Sequence, residues 1–142
     1  MDIKFVKNVM DKLLLGEDEV LIKLREQYNH SIICSEEYSP YGFYVNFDVY
    51  KKDAVIDNKQ YYSTFQIGDV MGNVDDITGA VGFVLFVKDG YLQMLEGYTN
   101  LLDEWPEDCS LIRLSYYSGE KRDYTKLREK WVISGGADEI GK

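Results

Sequence analysis

The sequence predicts an α+β fold, with two N-terminal helices packed on an antiparallel β-sheet built around a central hairpin. Three observations carry this. Apolar residues recur at three- and four-residue spacing through the first 28 positions. Residues 41–50 alternate apolar and polar. The apolar run Ala80–Val87 meets Asp89-Gly90, the dipeptide that favours a two-residue hairpin turn. Helices first and strands after argue for segregated helices on an antiparallel sheet.

The elements follow in order. Phe5, Val6, Val9, Met10, Leu13 and Leu14 form one apolar stripe, with Lys4, Lys7, Asp11 and Lys12 largely between them. Asp2 is placed to cap this helix and Gly16 to end it. Glu17, Asp18 and Glu19 then supply the negative first turn a helix dipole favours. Val20, Leu21, Leu24 and Tyr28 make a second stripe, so helices are expected near 3–15 and 17–28. Ile32-Ile33-Cys34 reads as a short strand. In 41–50, Phe43, Val45, Phe47 and Val49 share one face of a half-exposed strand. Residues 51–59 read as a loop, 61–67 as a strand and 68–79 as a Gly/Asp-rich connection. Residues 80–87, apolar on both faces, read as a buried central strand, returning through 91–95. A further strand is expected at 111–117 and a short helix at 122–131.

The 142 residues fit one domain, read as 1–133 with a loose C-terminal tail at 134–142. Hydrophobic residues make up 45% and aromatics 14%, which argues against disorder. The net charge of −9 disfavours nucleic acid, whose binding rests on Lys and Arg at phosphates, and disfavours anionic membranes. The N-terminal residues lack the apolar stretch of a secretory signal, and the longest apolar run is too short to span a bilayer. The expected compartment is therefore the cytoplasm. Cys34 and Cys109 are expected as unpaired thiols in a reducing environment.

No catalytic constellation stands out. The single histidine, His30, reads as a solvated loop residue, because Cys34 four positions on falls in a strand pattern. One His and two distant Cys do not make a zinc site. The glycines match neither a phosphate loop nor a dinucleotide fingerprint. Asp69, Asp75 and Asp76 lack the ligand alternation of a calcium loop. No metal or cofactor is expected. Glu96 is singled out because alternation with Leu92 and Met94 aims it inward at a strand's end. A carboxylate there has either a perturbed pKa and a role, or a structural partner such as Arg113.

The charge distribution is the most specific feature. Between Asp69 and Asp108 nine acids face a single base, Lys88. Asp103, Glu104, Glu107 and Asp108 surround Trp105, with Tyr98 shortly before. An aromatic set among acids suits a basic protein partner, because the ring anchors and the charge steers. Alternatively, Trp105 folds back onto the core of a solvated loop.

The segments Gly79–Val87, Leu95-Glu96-Gly97-Tyr98-Thr99 and Trp105-Pro106, with Tyr41–Phe47 and Leu24-Arg25-Glu26-Gln27 before them, resemble a family of short bacterial proteins of unknown function. The resemblance covers about residues 13–117. It implies a bacterial origin and a shared fold, and transfers no activity or site residue. Three functions are expected to compete. The first is an acidic interaction protein, in its concrete form an immunity-type neutraliser of a basic toxin, binding through Tyr98, Asp103, Glu104, Trp105, Glu107 and Asp108. The second is a small enzyme or ligand-binding domain with a pocket at Glu96, Tyr98 and Arg113. The third is a subunit that dimerises through an apolar sheet face, so homo-oligomerisation stays open.

Overall fold

The computed structural model describes residues 2–75, 77, 79–100 and 103–133, so the expectation of a loose tail at 134–142 lies outside the described residues. The fold is α+β. Helices α1 (Ile3–Leu13) and α2 (Glu19–Asn29) precede strands β1 (Ser31–Ser39), β2 (Gly42–Val49), β3 (Phe65–Ile67), β4 (Val70–Asn73), β5 (Val81–Lys88), β6 (Tyr91–Thr99) and β7 (Arg113–Tyr116), and helix α3 (Tyr124–Arg128) follows. All pairings are antiparallel, in the order β1-β2-β6-β5-β4-β7, with β3 also paired to β5.

Each helix begins where a carboxylate accepts an orphan backbone N–H. Asp2 accepts from Lys4 and Phe5, Asp18 from Val20, and Asp123 from Lys126. The stripes of α1 and α2 bury Phe5, Met10, Leu13, Val20 and Leu24 against Phe43, Val45, Phe83, Leu85 and Leu95 of the sheet. The β5–β6 turn sits at Asp89-Gly90 with φ of 52° and 88°, both in the left-handed region a type I′ turn requires.

Three expectations need correction. The connection 68–79 contains β4, a strand of four residues that includes Gly72 and is too short to show alternation in sequence. Strand β1 runs to Ser39, well past Cys34, through the polar Ser35-Glu36-Glu37. Strand β5 is fully buried on one face only. Val81, Phe83, Leu85 and Val87 lie under the helices, whereas Val84 and Phe86 are half-exposed on the outer face.

A buried glutamine ties the layers together. Gln27 is fully buried on α2. Its amide donates to the carbonyls of Ala54 and Gly90, both at 2.8 Å, and its carbonyl accepts from Leu92 N–H at 2.8 Å. Phe86 pairs with Met94 and Val87 with Leu92, so Gln93 is an extra residue, a β-bulge in β6. Gln27 thus satisfies an N–H at the bulge. Gln27→Met keeps the volume but strands buried polar groups, and is expected to cost about 2–3 kcal/mol in urea denaturation. An unchanged midpoint would show that the clamp contributes nothing.

Candidate interaction surface

The sheet order brings together two segments that are far apart in sequence. Residues 31–50 form β1, β2 and their turn, and residues 91–112 form β6 and the loop after it. Neither contains a Lys or Arg. The first carries three acids, Glu36, Glu37 and Asp48. The second carries five, Glu96, Asp103, Glu104, Glu107 and Asp108. Strands β2 and β6 are direct neighbours, so eight acids and no base occupy the β1–β2–β6 half of the sheet and its loops. A single-signed surface of this kind raises the local concentration of oppositely charged partners.

The acidic loop is held onto the β1–β2 turn. Trp105 N–H donates to the Pro40 carbonyl at 2.7 Å, and Thr99 N–H to the Tyr41 carbonyl at 2.9 Å. The Thr99 hydroxyl donates to the Asp103 carbonyl at 2.6 Å, while the Asp103 carboxylate accepts from Gly79 N–H at 3.2 Å. Asp108 accepts from the hydroxyl and N–H of Ser110, which hold its carboxyl below the usual range. Glu104 and Glu107 are exposed.

Trp105 does not project as an exposed anchor. Its ring lies 5.2 Å from Phe43, 6.1 Å from Phe83 and 6.4 Å from Phe5, each edge to face. The cause is local. A Cβ on Gly97 would meet the Phe43 ring at 2.2 Å, so glycine there lets that ring lie flat on β6, and the indole packs over it. Half-buried Cys109 lies close to the indole, its thiol pushed up chiefly by burial and drawn back partly by Trp105. The exposed aromatics near the β1–β2 turn are instead Tyr38, Tyr41 and Tyr44, which are 56%, 51% and 40% exposed, with Tyr50 exposed past the other end of β2. The first three cluster at the β1–β2 turn, just after Glu36 and Glu37, and Tyr44 lies across from Glu37. Sequence reasoning missed them, although the lack of Lys and Arg in 31–50 is a signal that could have found them.

Glu96 and Arg113 are not brought together. The bulge at Gln93 inverts the alternation, so Leu92 and Leu95 face the core while Met94, Glu96 and Tyr98 face outward. Arg113 sits on β7, separated from β6 by β5 and β4, or about 14 Å at ordinary strand spacing. It pairs there with exposed Asp75 at 3.2 Å. Glu96 lies directly across from Tyr44, and Glu37 lies on the other side of that tyrosine. The Glu96 charge, followed by its hydrogen bond, pushes the Tyr44 phenol above its ordinary value. The protonated phenol is the form that donates, so Glu96→Gln is expected to bring Tyr44 ionisation down in pH. A ring-carbon NMR titration of labelled tyrosine checks this, and an unmoved Tyr44 would exclude the coupling. Tyr98 spans Gly82 on the outer face and hydrogen-bonds Tyr117.

The remaining candidates have other partners. His30 engages Glu26 through the backbone carbonyl at 3.0 Å and stacks edgewise on Tyr50, while Cys34 contacts the Asn46 carbonyl. Both cysteines are free thiols. Asp69 is taken by Arg122 and Asp75 by Arg113, while Asp76 lies outside the described residues. Among the described residues no cluster of His, Cys, Asp and Glu is arranged to hold a metal, and no helix is long and apolar enough to cross a membrane. Comparison with protein-family models, with curated proteins and with solved structures yields no significant match to this chain.

Proposed function

We propose that this protein is a small acidic interaction protein that binds a basic protein partner through the β1–β2–β6 half of its sheet. The supporting observation is the lateral pairing of two base-free segments, which concentrates eight acids beside three exposed tyrosines. Carboxylates steer a basic partner, and partly exposed tyrosines supply the apolar contact that charge alone lacks. The concrete form is an immunity-type protein that masks a basic toxin, in keeping with the resemblance to short bacterial proteins. A pocket joining Glu96, Tyr98 and Arg113 gains no support, because Arg113 lies three strands away.

The test separates charge from anchoring. Asp103 and Asp108 shape the loop through hydrogen bonds, so the charge variant replaces only Glu37, Glu104 and Glu107 with Gln. Partners are captured from bacterial lysate on immobilised protein, identified, and returned to purified kinetics. The captured protein is expected to be basic. Its association should slow about tenfold in the triple variant or in high salt, because exposed charges are screened beyond about 8 Å at physiological ionic strength. Tyr41→Ala should mainly speed dissociation. A captured partner that is not basic, or kinetics indifferent to both salt and the triple variant, would overturn the reading.

A further inference from the structure

Beyond β6, the outer face of the sheet changes character at β5. Two adjoining clefts, of about 510 and 500 Å³, open where α3 and β3 meet the outer face of β5. They share Gln66 and Lys130 as lining residues and so form one groove. Val84 and Phe86 alternate along its floor, and Leu127 contributes from α3. These are the outward-facing positions of β5, whose other face is sealed under the helices. Clefts of this size with an apolar floor and a few polar groups are the usual form of small-molecule sites.

The charge of the groove is decided by which groups are already committed. Asp69 lines it, but both its oxygens are occupied by the Arg122 guanidinium, at 2.7 and 2.8 Å. Asp123 lines it too, and its cap on α3 through Lys126 N–H at 3.0 Å orients the carboxylate without supplying a counter-charge, so one acid stands against the lysines. Lys126 and Lys130 lie four residues apart on the rim, and Lys88 closes the far end. None of these three ammonium groups has an ion-pair or hydrogen-bond partner among the described residues. In a chain of net charge −9, a groove rimmed by three uncommitted lysines is a local reversal of sign.

We infer that this groove binds a small organic anion with an apolar body, an alkyl or aryl carboxylate, its head between Lys126 and Lys130 and its body along Val84 and Phe86. The inference rests on other residues than the acidic surface, which adjoins the groove where Glu96 pairs with Val84. The global field opposes it, because a protein of this net charge repels anions at long range. Preference for an anion therefore has to come from the local lysines, and that makes the preference diagnostic.

The experiment uses the full chain and three probes with a ten-carbon chain, namely decanoate, decanol and decyltrimethylammonium, with 2-naphthoate to distinguish aryl from alkyl bodies. Displacement of 8-anilino-1-naphthalenesulfonate fluorescence reports affinity, and amide NMR shifts of Gln66, Val84 and Leu127 report location. Decanoate or 2-naphthoate is expected to bind at least about tenfold more tightly than decanol, with shifts at those amides. The exposed pair Lys126→Gln and Lys130→Gln should remove about that factor for the carboxylates and leave decanol unchanged. No binding, equal binding of all three decyl probes, preference for the cation, or carboxylate affinity unaffected in the double variant would each overturn the assignment.

Discussion

Phe83→Ala is expected to destabilise the protein by about 3–5 kcal/mol, the range for truncating a fully buried aromatic. Phe83 is wholly excluded from solvent at the middle of β5. Its ring lies 5.8 Å from Phe5 on α1 and 6.1 Å from Trp105, so it joins the helix layer, the sheet and the acidic loop. The methyl group that remains cannot refill that space, because Val81 and Leu85 on the same face are themselves fully buried and already packed. The loss should appear as a lower urea midpoint with an unchanged slope. The change also has a local signature. Trp105 should alter its fluorescence in the folded state, whereas Trp131, packed on Phe65 at 5.6 Å, should not. A loss below about 1 kcal/mol would mean that the loop collapses into the vacancy and that the core is less rigid than its burial implies.

Helices, the β2 strand and the central hairpin were legible because each carries a period. The stripe of α1, the alternation of Phe43, Val45, Phe47 and Val49, and the positive-φ pair Asp89-Gly90 are local signals, and the structure keeps all three. What escaped depended on non-local partners. Strand β4 exists because β5 and β7 flank it, and nothing in Val70-Met71-Gly72-Asn73 announces it alone. The acidic stretch of β1 becomes a strand because β2 offers a full ladder.

The candidate surface shows the same division. The acid excess was visible, but its alignment beside the hairpin tyrosines required knowing that β2 neighbours β6. The inward aim of Glu96 failed through a single inserted residue. A bulge changes the parity of every position beyond it, and its support comes from Gln27, far away on α2. Trp105 was placed by glycine at position 97 rather than by its acidic neighbours. The lysine groove stayed hidden because its bases come from β5, α3 and the turn after α3, while Asp69 is neutralised by a contact no spacing reveals.

Arg122→Ala is expected to cost nearly as much as Phe83→Ala, about 3 kcal/mol, because it removes the buried partner of an ion pair whose acid is half-buried. The reason begins at the end of α1. The last carbonyls of a helix have no partner within it and carry the negative end of its dipole. Here Arg25 donates to the carbonyls of Leu14 and Gly16, and the Tyr116 hydroxyl donates to the Lys12 carbonyl at 2.7 Å. Arg122 donates to Leu15 at 2.9 Å, and Tyr124 donates to the same oxygen at 3.1 Å. The Arg122 side chain is 1% exposed, grips Asp69 with two nitrogens, and lies over the Tyr116 ring at 5.0 Å. It therefore joins α1, the start of β4 and the segment leading into α3. Exposed pairs such as Lys7–Asp11, with both side chains more than half exposed, contribute about 0–1 kcal/mol and do not compare. Alanine at 122 leaves Asp69, half-buried at the groove, without a counter-charge and leaves the Leu15 carbonyl with Tyr124 alone. Replacing both partners, Arg122→Met with Asp69→Ala, removes the charge along with its partner and should recover a large part of the loss. Urea denaturation of the two singles and the double settles it. If the double variant is no more stable than Arg122→Ala, the arginine acts through its packing between Tyr116 and Tyr124, and the ion pair is incidental.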